Sequence, residues 1–213
     1  MTRPAPPPLP GPAYALRTPR LLLRPWSPGD APALVAAVTA SLDHLRPWMR
    51  WAEAPPDLEA TLAQLRRLRA DFDRDHDHTY GVFDAGGDAI LGGCGLHGRL
   101  DAGALEIGYW VAAGHSGRGL ATELAGALTR AAFAVHRVHR VEIHCDPANL
   151  ASARVAAKLG YRHEATLAER IERADGSWRA SMIWTMMAAE LAASAAARHA
   201  VTAFDALGRP LPI

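Results

Sequence analysis

Residues 116–122, Ser-Gly-Arg-Gly-Leu-Ala-Thr, stand between an apolar run and an alanine-rich run, and their types suit phosphate binding. A helix that begins here leaves its first backbone N–H groups unpaired, and its dipole is positive at that end. Gly117 and Gly119 let the backbone approach oxygen atoms closely, Arg118 adds a positive charge, and Thr122 adds a hydroxyl. The alternative is a tight strand-to-helix connection in which the glycines only turn the chain.

Two common phosphate-binding motifs do not fit this segment. The Walker A loop requires Gly-Lys-Ser or Gly-Lys-Thr, which is absent. The dinucleotide fingerprint Gly-x-Gly-x-x-Gly fails at its third glycine, where Thr122 stands, and no ribose-binding acidic residue is evident.

The flanking patterns predict a strand before the glycine segment and a helix after it. Within Ala104–Val111 the residues alternate between two faces. One face carries Leu105, Ile107, Tyr109 and Val111, and the other carries Glu106, Gly108 and Trp110. After the segment, helical spacing places Leu120, Leu124, Leu128, Ala131 and Val135 on one stripe.

Similar patterns organise the rest of the chain. Further strands are predicted at 21–26, on both sides of the turn 84–88, at 139–145, and near 164–172 and 178–187 around the turn 174–177. Further helices are predicted after Asp30, after Asp57 and from Ser152 to Leu159, the last ending at Gly160. The mixture predicts an α/β (α+β) fold with one mixed sheet and helices on its faces.

The length of 213 residues suits a single large domain with terminal extensions. Residues 1–14 are rich in proline and predict a tail, and 15–187 form the domain. Residues 188–213 predict an alanine-rich helix to about Ala200, followed by a short tail.

Composition favours a cytoplasmic protein without nucleic-acid or membrane partners. Lys and Arg number 23 against 22 Asp and Glu, so the net charge of +1 gives no footprint for duplex nucleic acid. No apolar run approaches the roughly 20 residues of a membrane span, and the N-terminus lacks the apolar core of a secretory signal. Cys94 and Cys145 fall in strand-like runs and are predicted to be buried thiols in a reducing compartment.

The run Asp73–His78, Asp-Arg-Asp-His-Asp-His, has the composition of a metal-binding tract. It lacks the spaced ligands of a structural zinc site and falls at a predicted helix-to-strand junction. We interpret it as a solvated loop and predict no metal.

The segment Ser116–Ala121 resembles motif A of the GNAT superfamily of N-acetyltransferases, Gln/Arg-x-x-Gly-x-Gly/Ala, with serine at its first position. Four other stretches resemble the RimJ/RimL-like branch in the same order: "TPRLLLRPW", "LRPWMRW", "EIGYWV" and "NLASARVAAKLGY". The resemblance extends over residues 18–187. It implies a GNAT-like, mostly antiparallel central sheet flanked by helices, and an acyl-CoA-dependent N-acyltransferase.

The resemblance implies where acetyl-CoA, or another acyl-CoA, would bind. Its pyrophosphate would lie on the backbone N–H groups of the glycine segment, and its pantetheine would pair like a strand with the backbone at Trp110 and Val111. Gly108 marks either a bulge, which in this family frees an N–H near the thioester, or a close approach. The cofactor-binding residues implied are Trp110, Val111, Ser116, Gly117, Arg118, Gly119, Leu120, Ala121, Thr122 and Asn149.

Three carboxylates compete to be the general base. Glu106 matches the strand position where several GNAT enzymes carry their base, and Glu172 matches, with a one-residue gap, a glutamate of RimL-like members. Glu142 lies on the neighbouring predicted strand. An exposed or ion-paired glutamate is the alternative for each.

Ser152 and Asn149 each have two interpretations. Ser152 fits the RimL-like pattern Asn-x-x-Ser, in which serine protonates the leaving thiolate. It also suits a helix cap, as does Asn149. The tyrosine that many GNAT enzymes use as the acid corresponds to Ala156 here.

The acceptor site is predicted to include Trp48, Trp51 and Trp178 as an apolar wall, with core anchoring as the alternative. The acceptor implied is a primary amine, either a peptide N-terminal α-amine or a small molecule. The alternatives are a non-catalytic acyl-CoA sensor and a transferase for another acyl group, such as succinyl. The connector before the second helix and the C-terminal helix are candidate surfaces for a homodimer.

Overall fold

The computed structural model describes residues 11–172 and 176–213. The first ten residues of the predicted tail and part of the predicted turn 174–177 lie outside these ranges. Within them one sheet contains strands β1 (Ala15–Arg17), β2 (Leu21–Pro25), β3 (His78–Asp84), β4 (Ile90–His97), β5 (Ala104–Val111), β6 (Arg140–Cys145), β7 (Arg162–Glu172), β8 (Trp178–Met187), β9 (Thr202–Phe204) and β10 (Pro210–Leu211). The helices are α1 (Ala31–Thr39), α2 (Leu42–Leu45), α3 (Leu58–Asp73), α4 (Leu120–Ala134) and α5 (Leu150–Leu159).

The strands lie in the order β10-β9-β1-β2-β3-β4-β5-β6-β8-β7. Among the described residues, β5 and β6 form the one parallel pair, and every other neighbouring pair is antiparallel. The predicted mixed, mostly antiparallel sheet is therefore confirmed.

Helices cover both faces of the sheet, which explains why three consecutive leucines of β2 are all buried. Leu21 and Leu23 join the core under α4 and α5, which also holds Leu124 and Leu128. Leu22 faces the opposite way, into a second cluster with Leu65 of α3. A sheet buried on both faces favours continuous apolar runs over strict alternation.

Several predicted boundaries agree with the structure. The strand before the glycine segment spans Ala104–Val111 as predicted. Gly160 ends α5 with φ 93°, the left-handed conformation that favours glycine at this position.

Both cysteines are buried and free, as predicted. None of the helices in the described ranges is long and apolar enough to cross a membrane.

The predicted C-terminal helix is wrong. Residues 188–200 form two short 3-10 helices, Ala188–Ala193 and Ala196–Arg198, and β9 and β10 then extend the sheet beside β1. Packing explains the difference: Ala196 is fully buried, and Arg130 of α4 donates to the His199 carbonyl at 2.7 Å. These contacts outweigh the helix propensity of alanine. The C-terminal helix that was predicted as a candidate dimer surface is therefore absent, and β9 and β10 form an edge of the sheet there.

The chain joins the core before residue 15, which was the predicted start of the domain. Ala13 is fully buried, and its carbonyl accepts a hydrogen bond of 3.0 Å from the Tyr80 hydroxyl. The Tyr14 N–H donates to the Phe204 carbonyl at 2.7 Å. The N-terminal and C-terminal segments therefore close the same edge of the sheet.

A buried carboxylate fixes the first turn of α4 against the β1–β2 connection. Glu123 accepts hydrogen bonds from the Thr18 hydroxyl at 2.5 Å and from Arg20 Nε at 2.6 Å. Burial alone would raise the pKa of Glu123, but these hydrogen bonds hold it below its ordinary value. The same Arg20 donates from Nη1 to the Arg118 carbonyl at 2.9 Å, so one guanidinium connects the glycine segment to the sheet.

Glu123→Gln is expected to lower the free energy of unfolding at pH 7 by about 2 kcal/mol, because a hydrogen-bonded charge is lost. Since the folded-state pKa is lowered, the stabilisation by Glu123 is present above the ordinary glutamate pKa of 4.5 and disappears as the pH falls through the folded value. Urea unfolding of both proteins from pH 7 to about pH 3 measures the difference. The exposed Glu53→Gln is the control. A difference that stays constant across this range would contradict the assignment.

Candidate active site

The parallel strands β5 and β6 separate part-way along their length. They pair only at Ala104↔Arg140, Leu105↔Val141 and Glu106↔Glu142. Beyond the Glu106↔Glu142 pair, β5 continues to Val111 and β6 to Cys145 without pairing with each other. A V-shaped opening therefore interrupts the middle of the sheet.

The backbone of β5 is available for pairing on the side of this opening. On its other side, β5 pairs with β4, and the Ala112 N–H donates to the Leu91 carbonyl at 2.8 Å. Because hydrogen bonding alternates along an antiparallel ladder, the N–H and C=O groups of Tyr109 and Val111 point away from β4 and into the opening. Those of Trp110 point towards β4.

Of the two alternatives given for Gly108, the bulge in β5 is absent. The β4–β5 register runs without a shift from Gly92↔Val111 to His97↔Glu106. Gly108 serves a close approach instead, since a Cβ there would lie 3.2 Å from His97 Nε2. The free N–H groups therefore arise from the separation of β5 and β6.

The opening continues into a groove of about 1460 Å³. Most of the predicted site residues line it: Trp48, Trp51, Glu106, Trp110, Val111, Ser116, Gly117, Gly119, Leu120, Ala121, Thr122, Asn149 and Ser152. Arg118, Glu172 and Trp178 are not among the lining residues. Glu172 and Trp178 are partners at the distal end of the β7–β8 pair, and Trp178 is 53% exposed.

The glycine segment turns sharply into α4 beside the groove. Gly117 and Gly119 have φ of 75° and 79°, which glycine adopts without steric cost. A Cβ at Gly117 would meet nothing within 4 Å, so that position borders open space. The first helical N–H groups after Gly119 have no earlier turn to bond to. This turn can hold an anion.

Sequence reasoning assigned the positive charge at this turn to Arg118 alone and missed Arg20. Arg118 is exposed, and its carbonyl accepts the bond from Arg20. The Arg20 guanidinium lies beside the turn, with Nη2 at 3.7 Å from the position of a Cβ on Gly119. The segment "TPRLLLRPW" contained Arg20, but only the folded chain brings it to the glycines.

Two carboxylates and a histidine meet where β5 and β6 separate. His144 Nε2 lies 2.6 Å from Glu142 Oε2, and His144 Nδ1 lies 3.9 Å from Glu106 Oε2. Arg140 also pairs with Glu142, at 3.0 Å. The side chains of Glu106, His144 and Glu142 are 17%, 24% and 8% exposed, and all three line the groove.

A second histidine–carboxylate pair lines the groove and was missed by sequence reasoning. His97 is the direct partner of Glu106 across the β4–β5 ladder. Its Nδ1 lies 2.8 Å from Asp77 Oδ1. Burial alone would raise the pKa of Asp77, but the bond to His97 contributes to holding it below its ordinary value. A carboxylate of this kind orients an imidazole ring.

On the opposite wall, Asn149 and Ser152 have different local roles. Asn149 caps α5, because its side chain accepts from the Ser152 N–H at 3.1 Å. Ser152 itself does not cap, and its Oγ lies 2.9 Å from the Tyr109 hydroxyl. Burial raises the pKa of Tyr109, so the phenol keeps its proton at neutral pH. The pair places two hydroxyls at the groove, and sequence reasoning missed Tyr109 as a groove residue.

The tryptophans form part of the far wall. Trp51 and Trp110 pack edge to face, with ring centroids 5.8 Å apart, and Trp51 is 52% exposed. Arg179 of β8 donates to the Trp48 carbonyl at 3.0 Å, which holds the connector against the sheet. This part of the groove is apolar and open to solvent.

Comparison with known proteins identifies the architecture. Residues 20–162, more than half of the chain, match the family described as "Acetyltransferase (GNAT) domain". The chain belongs to the GNAT family of acetyltransferases. The expected family and enzyme class are thereby confirmed.

Individual GNAT proteins agree with this assignment. The chain is 29% identical over 124 residues to "Probable N-acetyltransferase YjcK" of Bacillus subtilis (strain 168), covering 57% of this chain and 67% of that protein. The structure of Mycobacterium smegmatis RimJ in complex with CoA-disulfide has a TM-score of 0.74 at 28% identity, over 87% of this chain and 91% of RimJ. RimL, a ribosomal L7/L12 alpha-N-protein acetyltransferase in complex with coenzyme A, shares the fold, with a TM-score of 0.72 at 20% identity over 80% and 95% of the two chains.

Proposed function

We propose that this GNAT protein transfers an acyl group, acetyl foremost, from acyl-CoA to a primary amine by direct attack on the thioester. The observation that carries the proposal is the separation of β5 from β6 directly before a left-handed glycine turn. The groove thereby offers the unpaired backbone of β5 and, next to it along the chain, the unpaired N–H groups at the start of α4. RimJ and RimL, which share this fold, were both determined with CoA species.

The residues fit the two ends of such a carrier. Backbone N–H groups of 117–122, with the guanidinium of Arg20 beside them, suit a pyrophosphate. The outward N–H and C=O groups of Tyr109 and Val111 suit an extended amide-containing arm. The open space at Gly117 leaves room for phosphate oxygens. The side chain of Trp110 contributes to the wall beside Trp51.

The chemistry needs a proton acceptor and a proton donor. The amine nitrogen forms a bond to the acyl carbon, the carbon–sulfur bond breaks, and the amine proton passes to Glu106 directly or through water. The leaving thiolate takes a proton from the Ser152 hydroxyl, which contacts the Tyr109 hydroxyl at 2.9 Å and regains its proton from solvent. Glu172, at the distal end of its hairpin and outside the groove lining, is not assigned to this step.

An α-amine is the favoured acceptor class. Its pKa is about 8, against about 10.4 for a lysine side chain, so a larger fraction is unprotonated at neutral pH. The apolar wall of Trp48 and Trp51 beside a solvent-open mouth suits the end of a peptide or a small amine. The name of RimL, an alpha-N-protein acetyltransferase, points in the same direction.

A second function rests on two departures from the family pattern. Ser116 replaces the usual Gln or Arg, and Ala156 is fully buried where many members carry a tyrosine. A chain that binds acyl-CoA without turnover would be a sensor. Acceptor assays distinguish the two functions, and parallel titrations with succinyl-CoA and free CoA test the acyl preference.

Calorimetric titration with acetyl-CoA is expected to show micromolar binding that weakens at least tenfold in Gly119→Val. A β-branched residue resists the left-handed φ at position 119, and the strain of about 1–3 kcal/mol opposes the bound geometry. Gly114→Ala is the matched control, since this glycine has no positive φ and no neighbour within 4 Å of a Cβ. Thermal unfolding shows whether each variant is folded. Absence of binding to acetyl-CoA, succinyl-CoA and CoA would refute the proposal.

Glu106→Gln is expected to lower turnover with an α-amine at pH 7 by roughly 10²–10⁴-fold, because a general base is lost. Acetyl-CoA affinity should change little, and turnover should recover partly at high pH as the free amine fraction rises. Thiol release with a peptide N-terminus, an Nα-blocked lysine and a small amine measures this, with the exposed Glu59→Gln as control. Turnover that is unchanged at both pH values would exclude Glu106, and the His97–Asp77 pair would become the leading base.

A further inference from the structure

A group of metal-ligating side chains lies at the far end of α4 from the glycine turn. Asp75 and His78 lie at the junction of α3 and β3, and His136 lies two residues beyond Ala134, the end of α4. One donor atom from each residue lies within 4.8 Å of the other two. None of the three residues lines the acyl-transfer groove.

The histidines of this cluster contain buried nitrogens without partners. His78 is 6% exposed and contacts Asp75 Oδ1 through Nε2 at 2.6 Å. In the described part of the chain, neither His78 Nδ1 nor His136 Nε2 has a hydrogen-bond partner. Buried polar atoms are nearly always satisfied, so a pair of such nitrogens in contacting rings requires an explanation. The sequence-based interpretation of this run as a solvated loop does not hold for His78, which begins β3 as a buried residue.

We infer that Asp75, His78 and His136 form a binding site for a divalent transition-metal ion, foremost Zn²⁺. Two imidazoles and one carboxylate are a common donor set for Zn²⁺, with water as the fourth ligand. The side chain of Asp75 is 62% exposed, which supplies the entry path and the position for that water.

The local geometry supports the ligand set. A tetrahedral Zn²⁺ ion with bonds of about 2.0–2.1 Å needs donor atoms roughly 3.3 Å apart, so the 2.6 Å contact between His78 Nε2 and Asp75 Oδ1 must lengthen as an ion enters. The two imidazole rings lie with centroids 4.4 Å apart at a 55° tilt, so side-chain rotation can redirect their nitrogens.

The surroundings fix the cluster from two directions. The ring of Phe72, at the end of α3, packs edge to face on His78 with centroids 5.5 Å apart. Asp75 adopts φ of 60°, a conformation that Asp and Asn tolerate better than most residues. A bound ion would join the α3–β3 junction to the end of α4, two segments far apart in sequence.

The test is calorimetric titration of the full, untagged and metal-stripped chain with Zn²⁺ at pH 7. Saturable binding of one ion per chain is expected, together with a rise in the melting temperature that EDTA reverses. Co²⁺ should bind in its place and give the visible absorption of a tetrahedral centre. His136→Gln and Asp75→Asn are each expected to weaken binding at least tenfold, and asparagine keeps the backbone preference at position 75.

His76→Asn is the matched control, because His76 is an exposed neighbour outside the cluster. Circular dichroism and acetyl-CoA binding report whether each variant is folded, and His78→Asn is added where it folds. Absence of saturable binding would overturn the inference. Binding that is unchanged in His136→Gln, or that is lost in His76→Asn, would also overturn it.

Discussion

The separation of β5 from β6 is the constraint on which the site depends. Three residue pairs hold β5 and β6 together. Beyond these pairs each strand bonds only to its neighbour on the other side, and the backbone that faces the opening is unpaired. Such backbone is costly in a folded chain unless water or a ligand satisfies it. The covered faces of the sheet keep the two arms rigid, since α4 packs against β5 and α5 against β6. The groove is therefore a preformed gap in a rigid sheet, which suits an extended ligand.

The contact of Arg20 with Glu123 determines where the helix begins relative to this gap. Glu123 receives hydrogen bonds from Thr18 and Arg20, and the same arginine binds the Arg118 carbonyl. The first turn of α4 is thus attached to the β1–β2 connection and not only to β5. Gly117 and Gly119 both have left-handed backbone conformations, which give the turn its shape. The ion pair between Arg20 and Glu123 holds the turn in place.

Titratable side chains and hydroxyl groups line the groove, both where β5 and β6 separate and on the two sides of the opening. Glu106 lies between His144, on the neighbouring strand, and His97, across the ladder on the other side. Tyr109 and Ser152 face each other from opposite arms. In the proposed reaction, the proton acceptor and the proton donor would therefore occupy different places along one cleft.

The sequence by itself determined the local elements around the site. Alternation fixed β5 from Ala104 to Val111, the glycines predicted a turn that can hold an anion, and Gly160 marked the end of α5, because these signals depend on near neighbours in the chain. Tertiary structure alone decided the rest. Alanine-rich residues 188–200 predicted a helix, yet packing on α4 made them short 3-10 turns before the strands β9 and β10. Contacts of Arg20 with Arg118, of Tyr109 with Ser152 and of His97 with Asp77 join segments distant in sequence. No local pattern encodes such distances, because they arise only when the sheet order brings the segments together.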